Sequence, residues 1–405
     1  MRKIIVAVAV ACALGAYAEE RTVSTAQGLY EALQALNSNT APAEPNVIYL
    51  EPGSYDVSAY NMDYWDGDGV LTSPGLSHIA LGNVTVSGKT DNPRDTVIYG
   101  NRTLGVIRCY SGCLNNLTVS NGYLNVDNTS GAGVGSGGAG CIHSNMVVTC
   151  CTLDVPKGNG GGVFSGTWYD STIISNSARR TNGGGVRAGT LYNCNIVSNY
   201  AGNSGGGCYY GTTIHNCRVT GNTAAVSGGG ISGTTNSKSY IDVYGSLIDG
   251  NYAGKHGGGA AYACFYGGTV VSNNVAKENG GGVYGIADNF ASNIVICCNS
   301  AQEGGGASEI AAVGCEIYAN AAKTGGGCGA GAYMDCVISN NTASAGGGGA
   351  HDGAYTNCLI ACNMITGVVT VAKVYGGGLY SGTATRCVIS NNVMDTFGEA
   401  SNSLS

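Results

Sequence analysis

Apolar and polar positions along this chain recur in blocks, without the 3.6-residue stripe of a helix. The commonest block reads Gly-Gly-Gly, a small or apolar residue, a Gly-containing turn, then Cys-x-Ile-x-x-Asn-x-Ala. Cys194-Asn-Ile196-Val-Ser-Asn199-Tyr-Ala201 and Cys217-Arg-Val219-Thr-Gly-Asn222-Thr-Ala224 are two copies, and Cys336-Val-Ile338-Ser-Asn-Asn341-Thr-Ala343 is a third. Cys and Ile stand two apart, the period of a strand whose alternate side chains face one core. A helix is excluded, because each interior glycine would cost it roughly 0.5–1 kcal/mol. Triplets begin at Gly160, Gly183, Gly205, Gly228, Gly257, Gly280, Gly304, Gly325, Gly346 and Gly376, with a degenerate copy at Gly137-Gly138; successive spacings are 23, 23, 22, 23, 29, 23, 24, 21, 21 and 30. A period near 23 means one supersecondary unit copied along the chain.

Two or three short strands per block, separated by Gly and Asn turns, make one coil of a right-handed parallel β-helix, so the fold class is all-β. Eleven coils at the strand spacing give a rod about 50 Å long. The spacings of 29 and 30 predict insertions near residues 236–243 and 367–374. Stacking explains the residue choices. The gap from Ile or Val to Asn is constant in ten copies, ending at Asn176, Asn199, Asn222, Asn251, Asn274, Asn299, Asn320, Asn341, Asn363 and Asn392. Each amide is expected to bond to the Asn above and below, as in stacked-sheet ladders. The position before the Ile carries Ser171, Cys194, Cys217, Ser246, Thr269, Cys315, Cys336, Cys358 and Cys387. These are all small, so the site selects volume rather than thiol chemistry.

Gly-Gly-Gly-[Val/Ile/Cys/Leu] alternating with Ile-x-x-Asn resembles the repeat of the polymorphic outer membrane proteins, Gly-Gly-Ala-[Ile/Leu/Val] and Phe-x-x-Asn. More broadly it is similar to the pectin-lyase-like right-handed β-helices of bacterial surfaces. The likeness covers about residues 137–392 and departs in using Gly for Ala and Ile or Val for Phe; no β-barrel translocator is read after the last repeat. The resemblance implies a β-helix exported to the cell surface or outer membrane, with an adhesin-like role.

The first residues, Met1-Arg-Lys, an apolar run over 4–14 and Ala16-Tyr17-Ala18, read as a secretory signal peptide cleaved after Ala18. A lipoprotein reading at Cys12 ranks behind it. The run is shorter than the roughly 20 residues a membrane span needs, and no later segment supplies one. Residues 19–45 form a capping segment: Ser24-Thr-Ala-Gln27 is a capping-box pattern, and Leu29, Tyr30, Leu33 and Leu36 recur at helical spacing. That short helix would cover the open end of the solenoid. Irregular opening coils follow over 46–136, with strands at 47–50, 79–86, 96–99, 106–109 and 117–119, then regular repeats over 137–394 and a tail over 395–405. The net charge of −7, with only 18 Lys and Arg, disfavours nucleic acid as a partner.

Eighteen cysteines in an exported chain invite disulfides. The repeat alignment instead favours a stacked ladder of thiols at Cys194, Cys217, Cys315, Cys336, Cys358 and Cys387, since buried Cys behaves as a small apolar residue. Cys109-x-x-x-Cys113 is the best disulfide candidate. In the vicinal pairs Cys150-Cys151 and Cys297-Cys298, at most one member faces the core. The five His show no paired spacing with Cys, so no metal site is expected there. Asp63, Asp66 and Asp68, in a cluster with Tyr64 and Trp65, are weak Ca²⁺ candidates; the EF-hand pattern fails at Tyr64 and Gly75. No other cofactor is implied.

Parallel β-helices also carry polysaccharide lyases and glycoside hydrolases. A carboxylate pair roughly 5–9.5 Å apart is the chemistry to look for, and no Asp-Asp, Asn-Thr-Asp or Gly-His-Gly occurs; Asp170, Asp249, Asp335 and Asp352 are scattered. Trp168, Tyr169, Tyr192, Tyr210, Tyr244, Tyr266, Tyr333 and Tyr355 recur beside the repeat strands. They fall at two registers, outward as a platform for glycan rings or a surface protein, or inward as filling. The leading expectation is an exported, non-catalytic β-helix used in adhesion or glycan binding. The alternative is a carbohydrate-active β-helix enzyme, a lyase or hydrolase.

Overall fold

The computed structural model describes residues 18–37, 46–61, 64–65, 71–73, 77–136, 140–235, 240–286, 288–366 and 376–395. The chain winds as a right-handed parallel β-helix of about 13 turns. Sheets of 23 and 14 strands run its length, and a third of 12 strands joins them from Tyr123–Leu124 onward. A representative coil contributes Cys208–His215 to the first, Arg218–Thr220 to the second and Thr223–Ala224 to the third.

Register is held because identical side chains face inward at each level. In the second sheet Ile173, Ile196, Val219, Ile248 and Val271 are direct parallel partners. All five are wholly buried, each contributing about 1.5–3 kcal/mol of apolar transfer. A one-residue slip would turn that column to solvent. The narrower third sheet stacks Ala178, Ala201, Ala224 and Ala253.

Corners are single left-handed residues. Asn193 and Asn216, with φ of 54° and 52°, turn the chain from the first sheet to the second. Ser198 and Gly221, at 53° and 62°, turn it from the second to the third. Asn tolerates this conformation because its short side chain hydrogen-bonds locally. The Gly triplet closes the coil. Gly183 takes a φ of 69°, and a Cβ on Gly184 would lie 2.3 Å from the Tyr200 oxygen and 2.5 Å from that of Gly206. Backbones of successive coils touch there, which only glycine allows.

Several details differ from expectation. The helix spans Ala26–Asn37 and buries Leu29, Leu33 and Leu36, but Thr25 caps it, its Oγ1 accepting the Gly28 N–H at 3.1 Å. The strand Asn46–Leu50 is not the first; Glu20–Val23 precedes the helix and pairs with it in parallel. Residues 79–86 belong to two strands, Ser77–Leu81 and Val84–Gly88. The strand Ile241–Tyr244 is regular, so the insertion of the long block ends before it. The run of four glycines places its positive φ at Gly347, moving that triplet one residue on. The signal segment, the 367–374 insertion and nearly all the tail lie outside the described residues.

Candidate functional site

The repeated Asn side chains are brought into one line. From Asn176 through Asn199, Asn222, Asn251, Asn274, Asn299, Asn320, Asn341 and Asn363 to Asn392, each Nδ2 donates to the Oδ1 of the next at 2.9–3.2 Å. The same Oδ1 accepts the main-chain N–H of the preceding Asn, and Nδ2 also donates to a carbonyl of the coil before, as Asn222 does to Ile196 at 2.9 Å. All but the terminal Asn392 are buried. Short of the terminal Asn392, every amide donor and acceptor is used, so this line is structural.

The thiols of Cys194, Cys217, Cys315, Cys336, Cys358 and Cys387 each donate to main-chain carbonyls, for instance Cys217 to His215 at 3.2 Å and Cys336 to Met334 at 3.1 Å. Cys194 N–H points at the Cys217 sulfur at 3.3 Å. The column is not uniformly small: Met146 and Ile294 occupy it, their carbonyls accepting the next coil's N–H as those of Ser171 and Cys315 do. The solenoid cross-section varies enough to admit them. Cys150 and Cys298 are exposed while Cys151 and Cys297 are buried. Cys109 and Cys113 are badly placed to pair, because Cys109 is fully buried whereas Cys113 stands beside Thr85 on the outward side. Asp63, Asp66 and Asp68 lie outside the described residues.

The aromatic residues separate by register. Trp168, Tyr333 and Tyr355 face inward and are buried. Tyr169, Tyr192, Tyr244 and Tyr266 close their strands on the outward side of the first sheet, with His215 filling the level between Tyr192 and Tyr244. The five rings stack face to face at centroid distances of 4.9, 4.7, 4.7 and 4.2 Å, within 9° of parallel. Phe290, on the next coil but two residues short of that register, meets Tyr266 edge-on at 5.2 Å. The stack follows the strand spacing. Tyr169 is 37% exposed and the others half-buried, leaving one ring edge of each in solvent. Reading rings alone from the sequence passes over His215; its position two residues before Cys217 is the signal, matching Tyr192 before Cys194 and Tyr244 before Ser246.

Beside the stripe runs a column of hydroxyls, Thr167, Thr190 and Thr213, ending in Asp242. Asp242 Oδ1 accepts the Tyr266 hydroxyl at 3.2 Å. Burial, the hydrogen bond with Tyr244 and the charge of Asp242 together push the Tyr266 phenol up, so it stays protonated and donating. On the other flank Asn193 Nδ2 donates to Asp170 at 3.2 Å. A cavity of about 380 Å³ opens along the same sheet, lined by Ile286, Glu309, Ile310, Ala311, Gly331 and Ala332; Glu309 there accepts the Tyr284 hydroxyl at 3.2 Å. The result is a flat aromatic strip edged by hydroxyls and carboxylates, suited to neutral polyhydroxylated chains.

No family model matches the chain, so the polymorphic outer membrane protein type is not shown. No curated protein matches it either. Among solved structures, the A-module of the mannuronan C-5 epimerase AlgE6 from Azotobacter vinelandii is 15% identical, covering 90% of this chain and 94% of that one, with a TM-score of 0.36. A mannuronic-acid-specific family 6 polysaccharide lyase from human gut microbiota is 13% identical over 92% and 83%, at 0.35. The rice weevil pectin methyl esterase is 13% identical over 59% and 80%, at 0.33. At these values the likeness is one of coiled parallel strands and carries nothing about a site.

Proposed function

We propose that this protein engages carbohydrate, holding an extended polysaccharide lengthwise along the stripe from Tyr169 to Tyr266. The observation that carries this reading is the unbroken outward stack of five rings flanked by Thr167, Thr190, Thr213 and Asp242. Stacked aromatics give sugar rings a rigid apolar surface at low entropic cost, and adjacent hydroxyls take their hydrogen bonds. The signal-like N-terminus supports export, where such polymers are met. Adhesion as such has no feature of its own in this arrangement.

A second reading makes the protein a carbohydrate-active enzyme, with Asp242 acting on the bound chain. It rests on Asp242 standing beside the stripe in hydrogen-bond contact with Tyr266. One experiment serves both readings. A polysaccharide panel is scored for retardation in affinity gels and for new reducing ends or unsaturated products, with Tyr192→Ala and Tyr244→Ala alongside. Binding that falls 10-fold or more in both variants supports the stripe; turnover lost in Asp242→Asn selects the enzyme. Retardation unchanged by both tyrosine variants overturns the proposal.

A further inference from the structure

The junction of the opening coils and the first, degenerate repeat holds a cluster that no part of the glycan reading uses. Cys109 ends the strand Gly105–Cys109, and its partner one coil on is Ser136. Cys141 and His143 stand two apart, so both face the core, and His143 lies between Leu114 and Trp168 in register. The expectation that His and Cys would not pair is thereby corrected. One ligand atom from each of Cys109, Cys141 and His143 lies within 4.8 Å of the others, and all three side chains are wholly buried. Among the described residues no other group of three or more His, Cys, Asp or Glu meets this geometry.

The imidazole gives an independent sign of a missing partner. Its Nε2 is 3.2 Å from Ser136 Oγ, while Nδ1 is buried with no hydrogen-bond partner at all. An unsatisfied polar atom in a dry core is costly, so its persistence here points to a partner that completes it. A serine oxygen accepting from Nε2–H fixes the proton there and frees the Nδ1 lone pair, the usual arrangement of a ligating His with a second partner behind it. Trp168 packs against the ring at 4.3 Å and holds its plane.

We propose that Cys109 Sγ, Cys141 Sγ and His143 Nδ1 form a buried site for a thiophilic divalent cation, best matched by Zn²⁺. Two thiolates and a neutral imidazole balance a 2+ ion, so the filled site adds no net charge to the core. Binding releases two thiol protons. All three ligand side chains are wholly buried, so the ion is installed as the coils form, not by exchange into the finished rod. It would pin two consecutive coils where the repeat is least regular.

The test compares wild type with Cys109→Ser, His143→Gln and the surface control Cys150→Ser. All are produced with added zinc, desalted without chelator and measured for metal by plasma mass spectrometry. Wild type and Cys150→Ser are expected to retain about one zinc per chain more than the other two. Protein produced with Co²⁺ should show a thiolate-to-cobalt charge-transfer band that Cys109→Ser loses and His143→Gln shifts. If Cys109→Ser does not fold, His143→Gln, which keeps both thiols, decides by the same metal count. Equal zinc in all four proteins overturns the site, and so does a Cys109–Cys141 disulfide found by non-reducing peptide mapping.

Discussion

Replacing Asn222 with Ala would remove the middle of the amide line and leave its surroundings nowhere to turn. The side chain is fully buried. Its Oδ1 accepts from Asn199 N–H at 2.9 Å and Asn199 Nδ2 at 3.0 Å, and its Nδ2 donates to Ile196 O at 2.9 Å and Asn251 Oδ1 at 3.0 Å. Asn222→Ala therefore leaves the buried Asn199 N–H without its acceptor. Asn199 Nδ2 keeps its bond to Ile173, and Asn251 Oδ1 is also a main-chain acceptor, so the amide groups suffer less. One fully orphaned donor and one weakened acceptor, at about 1–3 kcal/mol each, give an expected loss of about 3–4 kcal/mol. The same change at Asn392 also removes the acceptor of Asn363 N–H and Nδ2, but at the half-buried end of the line, where water can replace it, so it should cost about 1 kcal/mol. Repeat rods need not unfold in one step, so hydrogen exchange read by peptide is the appropriate assay. Peptides spanning Asn199 and Asn222 should exchange about 100-fold faster or more in Asn222→Ala, with distant coils changed less. Equal small effects at Asn222 and Asn392 would refute the reasoning that the buried line carries coil-to-coil stability.

Three further outcomes follow from the same geometry. Gly184→Ala should destabilise by about 3 kcal/mol or yield insoluble protein, because the new Cβ meets two backbone oxygens, while Gly140→Ala, with nothing within 4 Å, should be near neutral; urea midpoints check both. Burial raises the Cys151 thiol from 9.0 to about 12, so its contribution is complete below pH 9 and is lost as pH climbs toward 12. Urea midpoints between pH 8 and 11 should therefore fall less steeply in Cys151→Ala, by up to about 1.4 kcal/mol per pH unit above 9. Brief native alkylation with mass mapping should label Cys150, Cys298 and Cys362, which are exposed, and spare Cys208 and Cys328, which are buried and held protonated.

How far the sequence could be read depended on whether a position repeats. The Ile and Asn columns and the glycine triplets recur at constant offsets, so their alignment in space follows from winding once per block. Trp168 and Tyr169 show the first limit. Adjacent aromatics on a strand must face opposite ways, but which one faces out depends on where the left-handed corner falls, here at Asp170 with φ 48°. The corner residue is Asp, Asn, Gly or, at Arg386, Arg by turns, and no single letter marks it. His215 shows the second limit, since stacking accepts any flat ring and a list of tyrosines omits it. Cys109, Cys141 and His143 show the third. They come from the last opening coil and the degenerate first repeat, where no constant period tells which residues become neighbours.

The claim that a polysaccharide lies along the stripe is tested most directly by calorimetry with size-graded oligosaccharides of the best-retarded polymer. Four strand steps make the Tyr169–Tyr266 platform about 19 Å long. Affinity should rise with each added sugar until the ligand spans that length and then level off, and Tyr244→Ala should shorten the rise. A dissociation constant already set by a mono- or disaccharide, and untouched by Tyr192→Ala and Tyr244→Ala, would contradict it.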